Sequence, residues 1–344
     1  MGHLDHRFGV PERVDSHSIV SRSETCIITV RDVDNEPENV HACQIGRVER
    51  FGEKYPGDFI FLFSSSEAEQ EEIKSEISAA YDKVGSSAGH QGDLVLAGKV
   101  MRRLGYTDQQ ISEAGTDAYN YQGVGCPHTR AGVRAGDQVL DLGSGLGVDS
   151  FIAAAAARGN SGAVVGLDIS KQEVEHARTR AAERGLDNVR FEHGDMERMT
   201  FSDNSFDVVI SNGAFCLAPN KEAAFREIFR VLKPGGRFSV CCTTTRTDLD
   251  SGVEWPICMR VFMPLSDTRP MLENIGFTDI VVDDSDSKMT FDDDDLTSGT
   301  DDDNASDERR YRIHGNTPEF QHLENFDMNQ LCARVVLYGI KPIE

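Results

Sequence analysis

No apolar run in these 344 residues approaches the length needed to cross a bilayer, and only one tryptophan is present. The opening stretch MGHLDHRFGVPERVDSHSIV lacks the apolar segment of a signal peptide, and His6 stands where a myristoylation signal wants Ser or Thr. Basic residues are scarce: 35 Lys and Arg against 58 Asp and Glu leave a net charge of -23. A surface so acidic repels nucleic acid and anionic lipid, which excludes either as the main partner. Eight cysteines occur without a single CxxC pair, so neither a zinc site nor a secreted disulfide framework is expected, and no metal is assigned. The expectation is a soluble, cytoplasmic protein with reduced thiols; its oligomeric state stays open.

A hydrophobic fraction of 39% is enough for a real core. Residues 1–66 mix charged residues, Pro and Gly with short strand-like runs, CIITV and FIFLF, and read as an N-terminal extension. From Glu67 the pattern turns helical, with Ile73, Ile77, Tyr81 and Val84 along one face, giving a helical lead-in over 67–117. From Asp137 strands and helices alternate: QVLDLG, AVVGLDIS, VRFEHGD, FDVVISN and RFSVCCTTT, separated by helical segments such as SFIAAAAARG and KEAAFREIFRVLKPGG. That rhythm predicts an α/β fold, a doubly wound Rossmann-like parallel sheet covering 118–246. Residues 247–344 are expected to form an α+β cap that includes RRYRIHG and CARVVLYGIKP as strands. The Asp-rich stretch 283–308 inside it reads as a solvated, disordered loop.

The stretch VLDLGSGLGVDS is the first chemical signal. An apolar strand runs into an acid, Asp141, and then Gly143, Gly145 and Gly147 arrive at alternate positions. A dinucleotide fingerprint needs its third glycine at position 148, which is Val148. The spacing fits instead a ligand whose amino and carboxylate groups replace a pyrophosphate: Asp141 accepts from an ammonium, and backbone N–H groups of the turn receive a carboxylate. Asp168 ends the second strand, placed to accept from two ribose hydroxyls. Asp195 and Met196 follow the third and can flank an adenine, and Asn212 ends the fourth. In a doubly wound sheet all these strand ends meet at one crevice.

The region from about Ala118 to Arg246, through VLDLGSGLG, GLDIS, GDMERM and RVLKPGGRF, resembles the class I S-adenosylmethionine-dependent methyltransferases. The resemblance implies S-adenosyl-L-methionine as cofactor, held by Asp141, Gly143, Ser144, Gly145, Asp168, Ile169, Asp195, Met196 and Asn212. The flanks YQGVGCP, WPICMRVFMPL and MLENIGFTDI resemble the arsenite methyltransferase family over roughly residues 78–285. In that family three thiolates hold trivalent arsenic, soft sulfur matching a soft centre. Cys258 matches the family's cysteine in the cap. The family's other two positions fall on Val124 and Gly213, with Cys126 and Cys216 two and three residues later. Three residues is nearly one helical turn, so Cys216 can face the pocket if a helix starts there.

Two acceptors therefore compete for this small-molecule site: arsenite held by Cys126, Cys216 and Cys258, or a small thioether or thiol. An example of the second is 4-methylthio-2-hydroxybutyrate on the way to dimethylsulfoniopropionate. A sulfonium product favours aromatic faces and a carboxylate, for which Tyr121, Phe215, Glu254, Trp255 and Phe262 are candidates, with His128 for a substrate carboxylate. A third reading is a non-catalytic partner subunit that only binds the cofactor.

Overall fold

The structure is a computed structural model. It describes residues 18–23, 26–31, 66–87, 94–249, 253, 255, 257–291, 311–312 and 326–343. The chain divides into two compact units, Met1–Ile73 and Lys74–Glu344. Within the first, β1 (Ser18–Ser23) and β2 (Cys26–Arg31) form an antiparallel pair in which Ser23 faces Cys26. The expected strand CIITV is therefore β2, whereas FIFLF lies outside the described residues. Helix α1 (Glu67–Ser87) starts where the apolar periodicity starts. Ser66 and Glu69 exchange bonds at its first turn, the Glu69 carboxylate accepting the Ser66 N–H at 2.7 Å.

In the second unit α2 (Leu94–Arg103), α3 (Asp108–Ala114) and the single turn α4 (His128–Ala131) precede the alternating region. Thr107 caps α3 in a reciprocal box with Gln110. Next come β3 (Gln138–Leu142), α5 (Val148–Ala157), β4 (Ala163–Asp168), α6 (Lys171–Glu183), β5 (Val189–His193), β6 (Phe206–Asn212), α7 (Lys221–Val231) and β7 (Leu232–Thr245). The C-terminal part holds α8 (Ile257–Arg260), α9 (Leu265–Ile275), β8 (Thr278–Asp283), β9 (Thr290–Phe291), β10 (Tyr311–Arg312), α10 (Met328–Leu331) and β11 (Cys332–Ile340).

Seven strands form one sheet in the order β5-β4-β3-β6-β7-β11-β8. The five from β5 to β7 are parallel. The chain winds outward from β3 through β4 to β5, then returns to lay β6 on the other side of β3, so the strand order reverses between β3 and β6. The central strands are apolar because both faces are covered: Val139, Leu140 and Leu142 are fully buried. The alanine run of α5 lets that helix sit close on the sheet, where Ala153, Ala154 and Ala157 pack on Val139, Val164 and Val208.

The doubly wound parallel sheet expected over 118–246 is present, and two expectations about the C-terminal part are corrected. The sheet is mixed, because β11 runs antiparallel to both β7 and β8, with Cys332 facing Thr245 and Ile340 facing Arg237. CARVVLYGI thus completes the main sheet rather than a separate cap, burying Ala333, Val335 and Leu337 in the same core as Phe238 and Val240. The acidic stretch is not disordered where it begins. Over 283–291 it is built into the fold by ion pairs from Asp283 to Arg130, Asp284 to Arg246, and Asp286 to Arg103 and Arg334. Residues 292–308 lie outside the described residues. No helix among the described residues is long and apolar enough to cross a membrane.

Candidate functional site

The glycine turn after β3 runs through three left-handed residues, Gly143 (φ 67°), Gly145 (φ 51°) and Gly147 (φ 93°). At Gly143 a side chain is also sterically excluded, since a Cβ would lie 2.0 Å from that of Ala214. At Gly145 such a Cβ would make only ordinary contact with the Glu173 carboxylate, its nearest atom at 3.7 Å, so there the left-handed backbone and not crowding asks for glycine. The turn amides have internal partners: Gly143 and Ser144 N–H donate to the Leu167 carbonyl at 2.8 and 3.1 Å, and Gly145 N–H to Asp168 Oδ2 at 2.8 Å. The expectation that these amides receive a ligand carboxylate is corrected. Their role is to lock the turn onto the tip of β4. The Ser144 hydroxyl, buried on the cavity wall, has no partner among the described residues.

One cavity opens at the carboxyl ends of β3, β4, β5 and β6. Among the described residues, Asp141, Asp149, Asp168, Glu173, Asp195 and Glu197 line it, against the single ammonium of Lys74. Burial pushes Asp141 up to about 8, helped by the charge of Asp149 and opposed by the bond from Ser150 Oγ at 2.6 Å. Burial likewise lifts Glu173 to about 9, with Asp168 and Asp82 adding repulsion. Asp168 is raised by burial too, although the N–H groups of Ser170 and Gly145 hold its two oxygens, each at 2.8 Å. Carboxylates crowded so that they resist ionisation favour a cationic ligand, which relieves their repulsion, over a pyrophosphate, which adds to it.

Among the residues singled out from the sequence, Tyr121, Asp141, Gly143, Ser144, Gly145, Asp168, Ile169, Asp195, Met196 and Asn212 all line this cavity. Asn212 is also a latch. Its Oδ1 accepts the N–H groups of Val124 and Gly125 at 2.9 and 3.2 Å, and its Nδ2 donates to Asp149 Oδ2 at 2.9 Å and the Gly125 carbonyl at 2.8 Å. His128 does not reach the cavity wall and is corrected as a substrate ligand. It is buried behind Asp149, with Nε2 2.8 Å from Asp149 Oδ1, while Tyr106 donates to the same oxygen at 2.6 Å. Trp255 and Phe262 are likewise core residues; Trp255 packs edge-on against Phe326 with ring centroids 5.2 Å apart. Phe215 is packed on Phe225. Glu254 lies outside the described residues.

Cys126 and Cys216 do not converge on the cavity. Cys126 and Cys216 are buried away from the cavity wall, and burial raises both thiols, Cys126 to about 11. Cys126 has Cys241 as its electrostatic neighbour and Cys216 has Cys242. Cys241 and Cys242 are consecutive on β7, so their side chains point to opposite faces of the sheet. Cys126 and Cys216 therefore flank opposite faces, which corrects their expected joint role around one arsenic. Cys258 sits in α8, its side chain outside the described residues. Among the described residues no group of His, Cys, Asp or Glu is arranged to hold a metal ion.

Sequence reasoning passed over Lys74, Asp149 and Glu173, all on the cavity wall. Asp149 stands inside the quoted glycine motif, and an acid in the first turn of a sheet-covering helix was the available signal. Glu173 sits in the first turn of α6, where the helix N-terminus favours an anion. Lys74 carried no signal, being one lysine in a charged helix.

Residues 134–259 match a methyltransferase domain family. The chain is 32% identical over 194 residues to an arsenite methyltransferase of Halobacterium salinarum, covering 55% of this chain and 49% of that protein. It is 36% identical over 137 residues to the ubiquinone/menaquinone biosynthesis C-methyltransferase UbiE of Azotobacter vinelandii, covering 40% of this chain and 54% of that protein. The chain thus spans about half the length of these curated relatives. A solved arsenic(III) S-adenosylmethionine methyltransferase from Chlamydomonas reinhardtii is 23% identical, with a TM-score of 0.47, covering 74% of this chain and 75% of that one. Residues 134–259 thus resemble a methyltransferase domain, and the chain is similar to arsenite methyltransferases over about half its length.

Proposed function

We propose that the protein is an S-adenosylmethionine-dependent methyltransferase whose acceptor is a small molecule bringing its own soft lone pair. The observation that carries this reading is the convergence of six carboxylates on one cavity beside the glycine turn, with a single lysine among them. The ligand that suits such a cavity is cationic at two places, an ammonium and a sulfonium, and carries an adenosine. Asp141 accepts from the ammonium, Asp168 from the ribose hydroxyls through lone pairs its two amide bonds leave free, and Asp195 with Met196 flanks the adenine. The Ser144 hydroxyl gives a polar contact for the same ligand. When bound, this cofactor supplies an electrophilic methyl group on sulfur.

The protein's share of the reaction is alignment in a dry pocket. A thioether or trivalent arsenic attacks through its lone pair and needs no base, whereas a thiol attacks as its thiolate, its proton passing to solvent. Buried groups such as Asp141 act by position. Between the two acceptors, the separation of Cys126 from Cys216 across β7 favours a small thioether or thiol, while the likeness to arsenite methyltransferases favours arsenite. The test incubates the purified chain with methyl-labelled cofactor and arsenite, a simple thiol or 4-methylthio-2-hydroxybutyrate in parallel. Label is expected in the sulfur acceptor. Thermal stabilisation by the cofactor without transfer to any acceptor overturns the enzyme reading and leaves a binding subunit.

A further inference from the structure

Helix α1 lies outside the stretch that matches the methyltransferase domain, yet it supplies a wall of the cavity through Lys74, Ile77 and Tyr81. Its contacts from Lys74 onward run along two strand-end loops. Ser78 Oγ donates to the Ile169 carbonyl at 3.1 Å, and Asp82 Oδ1 accepts from Ser170 Oγ at 2.7 Å, both just after β4. Lys74 reaches the loop after β5. Its ammonium lies 2.8 Å from Asp195 Oδ2 and 2.7 Å from Glu197 Oε2, with the lysine side chain 13% exposed.

Asp195 is held from both ends. Lys74 takes Oδ2, and the N–H of Glu197 donates to Oδ1 at 2.8 Å. Glu197 is fixed in turn by the Asn220 N–H, which donates to Oε1 at 2.6 Å, and Asn220 caps α7. A carboxylate clamped this way has one orientation. Without the ammonium, Asp195 and Glu197 are two like charges side by side, and the Asp195 carboxylate keeps the Glu197 N–H on Oδ1 but loses the bond that fixes Oδ2. Burial pulls the Lys74 ammonium down, but its bonds to the two acids and their charges outweigh that and hold it above its ordinary value.

We propose that Lys74 is a positioning residue that aims the Asp195 carboxylate at the exocyclic amino group of the adenine, making α1 part of the nucleobase site. This rests on the cofactor reading above. The consequence is selectivity: a purine lacking the amino group gains nothing from an aimed carboxylate.

The experiment uses the full chain and two probes, S-adenosylhomocysteine and the same thioether carrying unsubstituted purine, titrated into wild type, Lys74→Met and Lys74→Arg. Wild type is expected to prefer the adenine probe by about tenfold, the value of one hydrogen bond to a charged acceptor. In Lys74→Met the adenine probe weakens and the purine probe changes little, so the preference collapses, while Lys74→Arg restores most of it. A Lys74→Met variant that weakens both probes equally, or neither, overturns the positioning role and leaves the cofactor reading intact. Melting curves alone cannot mimic the expected result, since a misfolded variant loses both probes together. Wild type that binds neither probe overturns the cofactor reading and this inference with it.

Discussion

Carboxylates and thiols are both abundant in this chain, and the fold treats them in opposite ways. Six acids scattered from Asp141 to Glu197 converge on one cavity, whereas Cys126 and Cys216 end up flanking opposite faces of β7. The difference lies in where each residue sits on its element. Right-handed crossovers make β3 to β7 parallel and bring all their carboxyl ends to one edge, so residues just past a strand end meet whatever their separation in sequence. Residues within a strand alternate between faces, and the adjacent Cys241 and Cys242 carry their neighbours to opposite sides. Acids just past the strand tips converge on the cavity, whereas the thiols that neighbour Cys241 and Cys242 are divided by the pleat of β7.

The strongest challenge to that contrast is Asp168→Ala. It removes the acceptor of the Gly145 and Ser170 N–H groups and the expected partner of the ribose hydroxyls. Each bond to a charged acceptor contributes about 1.5–3 kcal/mol, so calorimetry should show cofactor affinity falling by at least about tenfold. Unchanged affinity would remove the strand tips from the cofactor site.

Gly143→Ala comes next, because the added Cβ meets Ala214 at 2.0 Å in a left-handed backbone. Denaturant unfolding is expected to show a loss of about 1–3 kcal/mol. A variant of wild-type stability would mean the turn has slack that the packing does not suggest.

Asp141→Asn should separate stability from binding. The carboxyl is raised from 3.8 to about 8, so the folded state favours its neutral form. The stability linked to this group is complete below the unfolded value near 4 and is lost as pH climbs towards 8. Asparagine does not titrate, so the variant's melting temperature should gain on wild type between pH 5 and pH 8 while cofactor binding weakens. A constant difference across that range would sink the electrostatic reading of the cavity.

On the thiol side, Cys126→Ser and Cys216→Ser should cost about 1–3 kcal/mol of stability for burying a hydroxyl, with methyl transfer to a thioether retained. Loss of arsenite methylation in both variants with cofactor binding intact would reunite the thiols in one function. The smallest effect is expected for Asp284→Ala, an acid outside the cavity whose pairing with Arg246 at 3.2 Å is solvent-exposed. Such a pair contributes about 0–1 kcal/mol, and neither melting temperature nor activity should move appreciably.

Much of this was legible before any coordinates. The spacing of Gly143, Gly145 and Gly147 marks a turn that only glycine tolerates, and the φ values agree. Alternating apolar strands and amphipathic helices specify the parallel half of the sheet because the period of the pattern is local. Asp141, Asp168 and Asp195 could be assigned to one crevice because strand ends are readable from the pattern and the crossover rule does the rest.

Tertiary structure alone decided everything that depends on which face or neighbour a side chain finds. Whether Cys126 and Cys216 share a pocket turns on the pleat of β7, and His128 is screened from the cavity by Asp149, a contact 21 positions away. The insertion of β11 between β7 and β8 is a long-range pairing that no local period encodes. Lys74 gains its role only because α1 packs across a loop 121 positions distant, where Asp195 and Glu197 wait for a cation. Local pattern sets the elements and the chemistry at their ends, because backbone preference and periodicity act over a few residues. Contacts between distant segments, and the charges they pair, come into being only when the chain is packed.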